Sequence, residues 1–241
     1  MIQKEATASR SRQTAKGPAR QPGRRGGSWL HSLWQAFLDR RSPLAYVPMV
    51  AAMVLLFCGA SWQLFWDNTD AARYQCYTLA FWQGSQGTHL LSAHQCRFLQ
   101  QFGVPLNGVA PFHVLPFEYP PLTLSIFSLA LAAPPVYYQI AFAIAMALVA
   151  LLIYWLLLRF GPRGAALACA FYLVLGSWGT AEGRFDLVPA GLTLLCLIAA
   201  ERRRWTLAYI ALAFGFLLKI YPLLLLPALF MAEQIAHGCF R

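Results

Sequence analysis

Long apolar runs, separated by short polar segments, make up most of the chain. They lie at residues 43–66, 119–133, 136–158, 164–180, 187–200 and 205–233. The first run extends from Pro43 to Trp66 without a charge, and about 20 mostly apolar residues are enough for a helix to cross a bilayer. The pattern predicts an all-α membrane protein. We expect a polytopic helical bundle of about five to six spanning segments plus a short half-helix, within a membrane domain over residues 43–235.

The run at 119–133 is shorter than the others and has a proline pair at each end. If it crossed the membrane, Arg159, Arg163 and the triple arginine 202–204 would lie on the side opposite the basic N-terminus. The positive-inside rule favours all of these arginines on the cytoplasmic side. We therefore expect 119–133 to form a re-entrant or tilted half-helix, which is tolerated where protein or a cavity covers it.

Composition supports a lipid environment and indicates an orientation. Hydrophobic residues make up 59% of the chain and charged residues 12%, whereas soluble domains carry about a quarter charged residues. Much of the net charge of +10 precedes the first run, ending at Arg40 and Arg41. This placement indicates membrane lipids rather than nucleic acid as partners. The prediction is a multi-pass protein of the plasma membrane with a cytoplasmic N-terminus.

Polar segments precede, interrupt and follow the membrane domain. Residues 1–27, rich in Ser, Gln, Gly, Pro and Arg, are predicted to be a disordered basic cytoplasmic tail. An interfacial helix is expected over 28–42, and a short tail over 236–241. Trp66 marks the far interface of the first span, after which residues 67–118 form a long outer loop.

The number of membrane crossings before each loop predicts its side, and this count brings several carboxylates to the outer face. Asp67, Asp70 and Glu118 belong to the outer loop, and Asp186 ends a loop over 182–186 on the same side. A carboxylate in this position can act as a general base on a hydroxyl. Asp70 can instead be the N-cap of a helix over Ala71 to Trp82, and spacing alone favours this interpretation. Glu118 can orient a substrate or simply mark the interface.

Two basic residues near these carboxylates are candidates for phosphate binding. Arg184 shares a short loop with Glu182 and Asp186; the guanidinium could bind phosphate and the carboxylates a hydroxyl or a divalent cation. A solvated turn is the alternative. Lys219 lies where Pro222 breaks the last apolar run. A lysine at such a break is either functional or snorkels to the interface, and the sequence leaves both open.

The cysteines divide by position. Three lie within apolar runs, where they act as small hydrophobes. Cys76 and Cys96 lie in the outer loop. We hypothesise that they form a disulfide, which would close a loop of about 20 residues and stabilise the fold by roughly 3 kcal/mol. His89, His94 and Cys96 match no standard zinc spacing, so no metal site is predicted.

Taken in order, several motifs resemble those of a known family. They are Asp70-Ala-Ala-Arg-Tyr74 with Gly84 further on, Tyr119-Pro120-Pro121-Leu122, Gly183-Arg184-Phe185-Asp186-Leu-Val-Pro-Ala and Gly215-Phe-Leu-Leu-Lys219-Ile-Tyr221-Pro222. Over residues 43–235 this order resembles the N-terminal half of the GT-C superfamily of polytopic glycosyltransferases. It is most similar to bacterial polyprenyl-phosphate-mannose-dependent mannosyltransferases.

The resemblance implies transfer of a hexose, with mannose favoured, from a polyprenyl-phosphate sugar to an acceptor hydroxyl on the outer face. It implies Asp70, which matches the family's position through its spacing to Tyr74, as the catalytic base or the group that orients the acceptor, with Asp67 as second choice. The residues that it implies for substrate binding are Glu118, Tyr119, Arg184, Asp186 and Lys219. Among these, Arg184 and Lys219 would stabilise the departing phosphate.

The resemblance implies no definite cofactor and leaves a divalent cation open. Members of this superfamily usually continue for several more helices. One expectation is therefore a second polypeptide that supplies the missing helices. The alternative function is a non-catalytic membrane scaffold or subunit, or an inactive truncated paralogue.

Overall fold

The computed structural model describes residues 29–39, 41–61, 64–105, 107–112 and 118–238. The predicted disordered tail over 1–27 lies outside these residues. The α-helices are α1 (Trp29–Leu38), α2 (Val47–Ala60), α3 (Asp70–Gln83), α4 (Ser85–Thr88), α5 (Ala93–Gln101), α6 (Thr123–Ser128), α7 (Tyr138–Phe160), α8 (Ala165–Ser177), α9 (Leu187–Glu201), α10 (Trp205–Leu218) and α11 (Leu226–Ala236). No strand occurs in the described part of the chain.

Two helical stretches are long and apolar enough to cross a bilayer. They are Pro43–Ala60, where a 3₁₀ turn precedes α2, and Pro135–Phe160, where a 3₁₀ turn precedes α7. The shorter apolar stretches are Thr123–Ala132, Ala165–Ser177, Leu187–Glu201, Trp205–Leu218 and Tyr221–Ala236. The prediction of an all-α membrane protein is confirmed.

One face of α7 is left uncovered by the described part of the chain. Ile144, Leu148, Leu152 and Trp155 recur at helical spacing and are each at least 44% exposed, while Phe142 and Tyr154 on the opposite side are buried. A continuous uncovered apolar stripe on a long helix is typical of a lipid-facing surface. The exposed apolar face of α7 thus agrees with the apolar composition expected of a helix in contact with lipid.

The helices alternate in direction, so the chain has two distinct ends. At one end the Arg202 guanidinium lies 4.1 Å from the ring centroid of Phe160. Arg41 and Arg163 line a common cavity at this same end of α7, which we call the basic end. At the other end Thr69, which precedes α3, bonds Gln139 at the start of α7.

The segment 119–133 does not cross between these ends. At its start the Tyr119 ring lies 5.7 Å from that of Tyr74 in α3. Just after its end, the Pro135 carbonyl accepts a hydrogen bond from Gln75 Nε2 at 2.7 Å. Since Tyr74 and Gln75 are neighbours, the segment leaves and returns at the same end of the bundle. The expected short half-helix is therefore present as α6 and the 3₁₀ turn that follows it.

The predicted outer loop is largely helical. Its first helix, α3, buries Tyr74 and Tyr77 in the largest apolar cluster, which draws this polar stretch onto the bundle. The hypothesised disulfide is present: Cys76 and Cys96 are bonded, with their Cα atoms 5.5 Å apart. It ties α3 to α5 on the same side of the bundle.

The last apolar run reverses direction at its break. The Tyr209 hydroxyl, near the start of α10, donates to Glu233 Oε2 near the end of α11 at 2.7 Å. The two helices are therefore antiparallel, and the break at Lys219 is a hairpin tip rather than a kink within one span.

Candidate active site

Asp70 stands at the start of α3, at the end of the bundle opposite the basic end. The alternative that Asp70 is the N-cap is wrong: Thr69 has extended backbone and its hydroxyl accepts from the Ala72 amide at 3.1 Å. Thr69 thus satisfies an open amide of the first turn. The Asp70 carboxylate is left available for contacts outside its own helix.

Phe185 anchors the loop between α8 and α9. Its side chain is buried among aromatic rings, including Tyr74 at 5.7 Å and Tyr119 at 5.6 Å between centroids. A buried aromatic ring removes a large apolar area from water and gains favourable contacts with neighbouring rings. These interactions hold the loop in place. The charged residues on either side, Arg184 and Asp186, are consequently held at the surface of the bundle.

Each of these two residues forms an ion pair with a distant part of the chain. Arg184 Nε lies 2.6 Å from Asp70 Oδ2. Asp186 Oδ1 pairs with Lys219 Nζ at the tip of the α10–α11 hairpin. Lys219 Nζ also lies 5.3 Å above the Phe185 ring, a favourable cation–π position. Four predicted site residues therefore form two adjacent charge pairs.

The pairs are accessible to solvent. The side chains of Arg184 and Asp70 are 54% and 30% exposed, and those of Lys219 and Asp186 are 40% and 43% exposed. Exposed pairs are worth little in stability, so an incoming anion can exchange with either carboxylate at low cost. Asp70 raises the pKa of Arg184, which keeps the guanidinium charged.

Two tyrosine hydroxyls lie beside the charge pairs. Burial, Tyr119 and the carboxylates of Asp70 and Asp186 raise the pKa of Tyr74 well above its usual range. Burial, Glu118 and Asp70 raise the pKa of Tyr119 to about 12. Both hydroxyls therefore remain protonated at neutral pH and can donate hydrogen bonds. Tyr74 is a site residue that the sequence offered only as part of a motif.

Glu182 is buried next to this site with one oxygen unsatisfied. The residue is 2% exposed, and its Oε1 atom has no hydrogen-bond partner in the described part of the structure. Burial raises the pKa of Glu182 to about 7. The carboxyl group therefore holds its proton at a higher pH than an exposed glutamate does. The sequence identified the loop but not the burial of this side chain.

A cavity of about 340 Å³ opens beside the Asp70–Arg184 pair. It is lined by Trp66, Asn68, Thr69, Asp70, Thr180, Gly183 and Arg184. Its volume falls within the range of small-molecule sites. Sequence analysis identified only Asp70 and Arg184 among these residues as site candidates, and it assigned Trp66 to the membrane interface. The only signal for the other lining residues was proximity in sequence to Asp70 and Arg184.

The remaining predicted site residues lie outside the two pairs. Asp67 Oδ2 accepts a hydrogen bond from Ser92 Oγ at 2.6 Å, at the N-cap of α5. Glu118 is exposed and accepts from the Tyr77 hydroxyl. Among the described residues no group of three His, Cys, Asp or Glu side chains is arranged to hold a metal ion. Cys96 is committed to its disulfide.

A known protein family matches the C-terminal half of the chain. The sequence model of glycosyltransferase family 87 matches residues 117–237, which is half of the chain. No curated protein and no solved structure matches. The matched residues include Tyr119, Arg184, Asp186 and Lys219, and they exclude Asp70.

Proposed function

The chain belongs to glycosyltransferase family 87, a family of membrane glycosyltransferases, and on that premise we propose a specific donor, base and phosphate site. The donor is a polyprenyl-phosphate hexose, with mannose favoured, and the acceptor is a hydroxyl on the outer face of the plasma membrane. The pairing of Asp70 with Arg184 is the observation that carries the proposal. The observed pair puts a carboxylate and a guanidinium in contact at the mouth of a cavity, and a base with a phosphate-binding cation requires this combination of groups.

The orientation follows from the separation of charge between the two ends. Arg41, Arg163 and Arg202 gather at the basic end, which the positive-inside rule assigns to the cytoplasm. The site then faces outward. A lipid-linked sugar can reach it there because its polyprenyl chain remains in the bilayer while the phosphate and sugar extend beyond it.

The chemistry requires a base and a stabilised leaving group. The acceptor hydroxyl gives its proton to Asp70 while its oxygen forms a bond to the anomeric carbon of the donor. The bond from that carbon to the phosphate oxygen breaks, and its electron pair leaves with polyprenyl phosphate. The configuration at the anomeric carbon is inverted. Arg184 and Lys219 stabilise the negative charge on the departing phosphate.

The ion pairs suggest how donor binding prepares the base. In the structure Arg184 is occupied by Asp70, and Lys219 by Asp186. A donor phosphate offers Arg184 a bidentate partner and offers Lys219 a second anion. Exchange of Arg184 from Asp70 to the phosphate would release the carboxylate next to the acceptor position. Donor binding would thus precede acceptor activation.

A transfer assay tests this assignment. Purified full-length protein in nanodiscs is incubated with labelled polyprenyl-phosphate mannose, the corresponding glucose donor, and a membrane extract as acceptor. Asp70→Asn is expected to lower kcat by roughly 10²–10⁴, the usual contribution of a general base. Glu201→Gln, a carboxylate change at the exposed end of α9, is the matched control and should leave transfer unchanged.

Two outcomes would contradict the proposal. A greater loss from Asp67→Asn than from Asp70→Asn would move the base to Asp67. Wild-type protein that transfers or hydrolyses neither donor would favour the non-catalytic scaffold. Activity that appears only on co-expression with a second polypeptide would instead support a shared site.

A further inference from the structure

A cavity at the basic end lies far from the candidate active site. It has a volume of about 690 Å³ and separates the end of α1 from the turn between α7 and α8. Its lining residues are Gln35, Ala36, Leu38, Asp39, Arg41 and Arg163. Polar and charged groups dominate this lining, so the cavity is suited to a polar ligand rather than to an acyl chain.

The cavity carries excess positive charge. Arg41 and Arg163 face it with one carboxylate, Asp39. The Asp39 Oδ1 atom accepts a hydrogen bond from the backbone amide of Arg41 at 3.1 Å. Neither arginine is ion-paired to a carboxylate in the described part of the chain. Both guanidinium groups are therefore available to a phosphate, which they can bind through paired N–H donors.

The helix that borders the cavity has an uncovered apolar side. Trp29, Leu33 and Trp34 of α1 are 70%, 39% and 50% exposed. Phe37 and Leu38, in its last turn, instead line a small cavity together with residues at the ends of α7 and α8. An amphipathic helix docked at one end, with exposed tryptophans, is typical of a helix lying in the headgroup region. The cavity beside it is then at the level of lipid phosphates.

We propose that this cavity binds the headgroup phosphate of an anionic phospholipid, in the leaflet that meets the basic end. Arg41 and Arg163 hold the phosphate from two sides. The acyl chains extend along the exposed apolar side of α1. Charge complementarity and the position of α1 favour a lipid over a free anion, because only a lipid satisfies both features. The site is independent of glycosyl transfer at the opposite end.

Native mass spectrometry tests the site. The full chain is released from nanodiscs that contain equal amounts of phosphatidylglycerol and phosphatidylcholine, two lipids with the same acyl chains. Wild-type protein should retain phosphatidylglycerol preferentially. The double variant Arg41→Gln with Arg163→Gln should lower this retention about tenfold, as expected for the loss of charge-assisted hydrogen bonds.

A matched variant controls for net charge. Arg203→Gln with Arg204→Gln removes two exposed arginines that do not line the cavity, and it should retain the lipid as wild type does. Equal loss in this variant would overturn the site in favour of general charge attraction. Displacement of phosphatidylglycerol by excess inorganic phosphate would overturn the choice of a lipid. If the first double variant does not fold, wild-type protein that retains both lipids equally is sufficient to reject the proposal.

Discussion

Arg184 Nε and Asp70 Oδ2 are 2.6 Å apart, although the two residues are separated by 114 positions in sequence. This contact joins the start of α3 to the loop between α8 and α9. It also connects the part of the chain matched by the family model with a part outside it. This ion pair thus connects a residue inside the family match with a carboxylate that lies outside it, next to the cavity.

The first prediction separates the stability and the activity effects of this pair. Because both side chains are substantially exposed, Asp70→Asn and Arg184→Gln should each cost less than about 1 kcal/mol of stability. Arg184→Gln should nevertheless raise KM for the donor, since it removes the proposed phosphate ligand. Thermal unfolding in detergent and donor titrations would measure the two effects. A large loss of stability with unchanged KM would show that the pair is structural.

Glu182 should make stability depend on pH. Its pKa in the folded protein is about 7, above its ordinary value, so the folded state holds a proton that the unfolded state releases. The stabilisation from protonated Glu182 is fully present below the ordinary pKa of a glutamate. It is lost as the pH rises through about 7. The loss should reach about 3 kcal/mol by linkage.

The variant Glu182→Gln tests this dependence, because its side chain does not ionise. The difference in unfolding temperature between pH 5 and pH 8 should be smaller in Glu182→Gln than in wild type. Glu201→Gln changes an exposed carboxylate and should keep the wild-type difference. An unchanged difference in Glu182→Gln would mean that this carboxyl group does not titrate in that range.

Loss of the disulfide should weaken the attachment of α5 to α3. Replacement of Cys76 and Cys96 by serine should lower stability by roughly 3 kcal/mol, the value for a loop of about 20 residues. Wild-type protein should show the same loss in reductant. Mass mapping under non-reducing conditions gives a direct check: alkylation of both thiols without reductant would show that the bond does not form.

Labelling of introduced cysteines tests the orientation. In a background without the free cysteines, Asp186→Cys should react with a membrane-impermeant reagent from outside the cell, and Arg203→Cys should not. The two positions lie at opposite ends of α9. The reverse labelling pattern would place the active site toward the cytoplasm and exclude an outer-face donor.

Hydropathy and charge were enough to predict the fold class, because a bilayer imposes long apolar helices and asymmetric arginines on the sequence. The half-helix at 119–133 followed from the requirement that all arginine clusters lie on one side of the membrane. The extent of helix in the outer loop did not. There the sequence of α3 is polar, yet one face of this helix is buried. Tyr74 and Tyr77 make apolar contacts on that face once the other helices pack around them.

Sequence alone determined that Asp70, Arg184 and Asp186 share one side of the protein, because the alternation of membrane crossings fixes the side of each loop. It left the position of Lys219 open, since that residue lies inside an apolar run. Tertiary structure decided which of them touch. The buried ring of Phe185 and the hairpin at Lys219 determine that Arg184 meets Asp70 and that Asp186 meets Lys219. Such contacts depend on side-chain packing between distant segments, and no local pattern in the sequence encodes them.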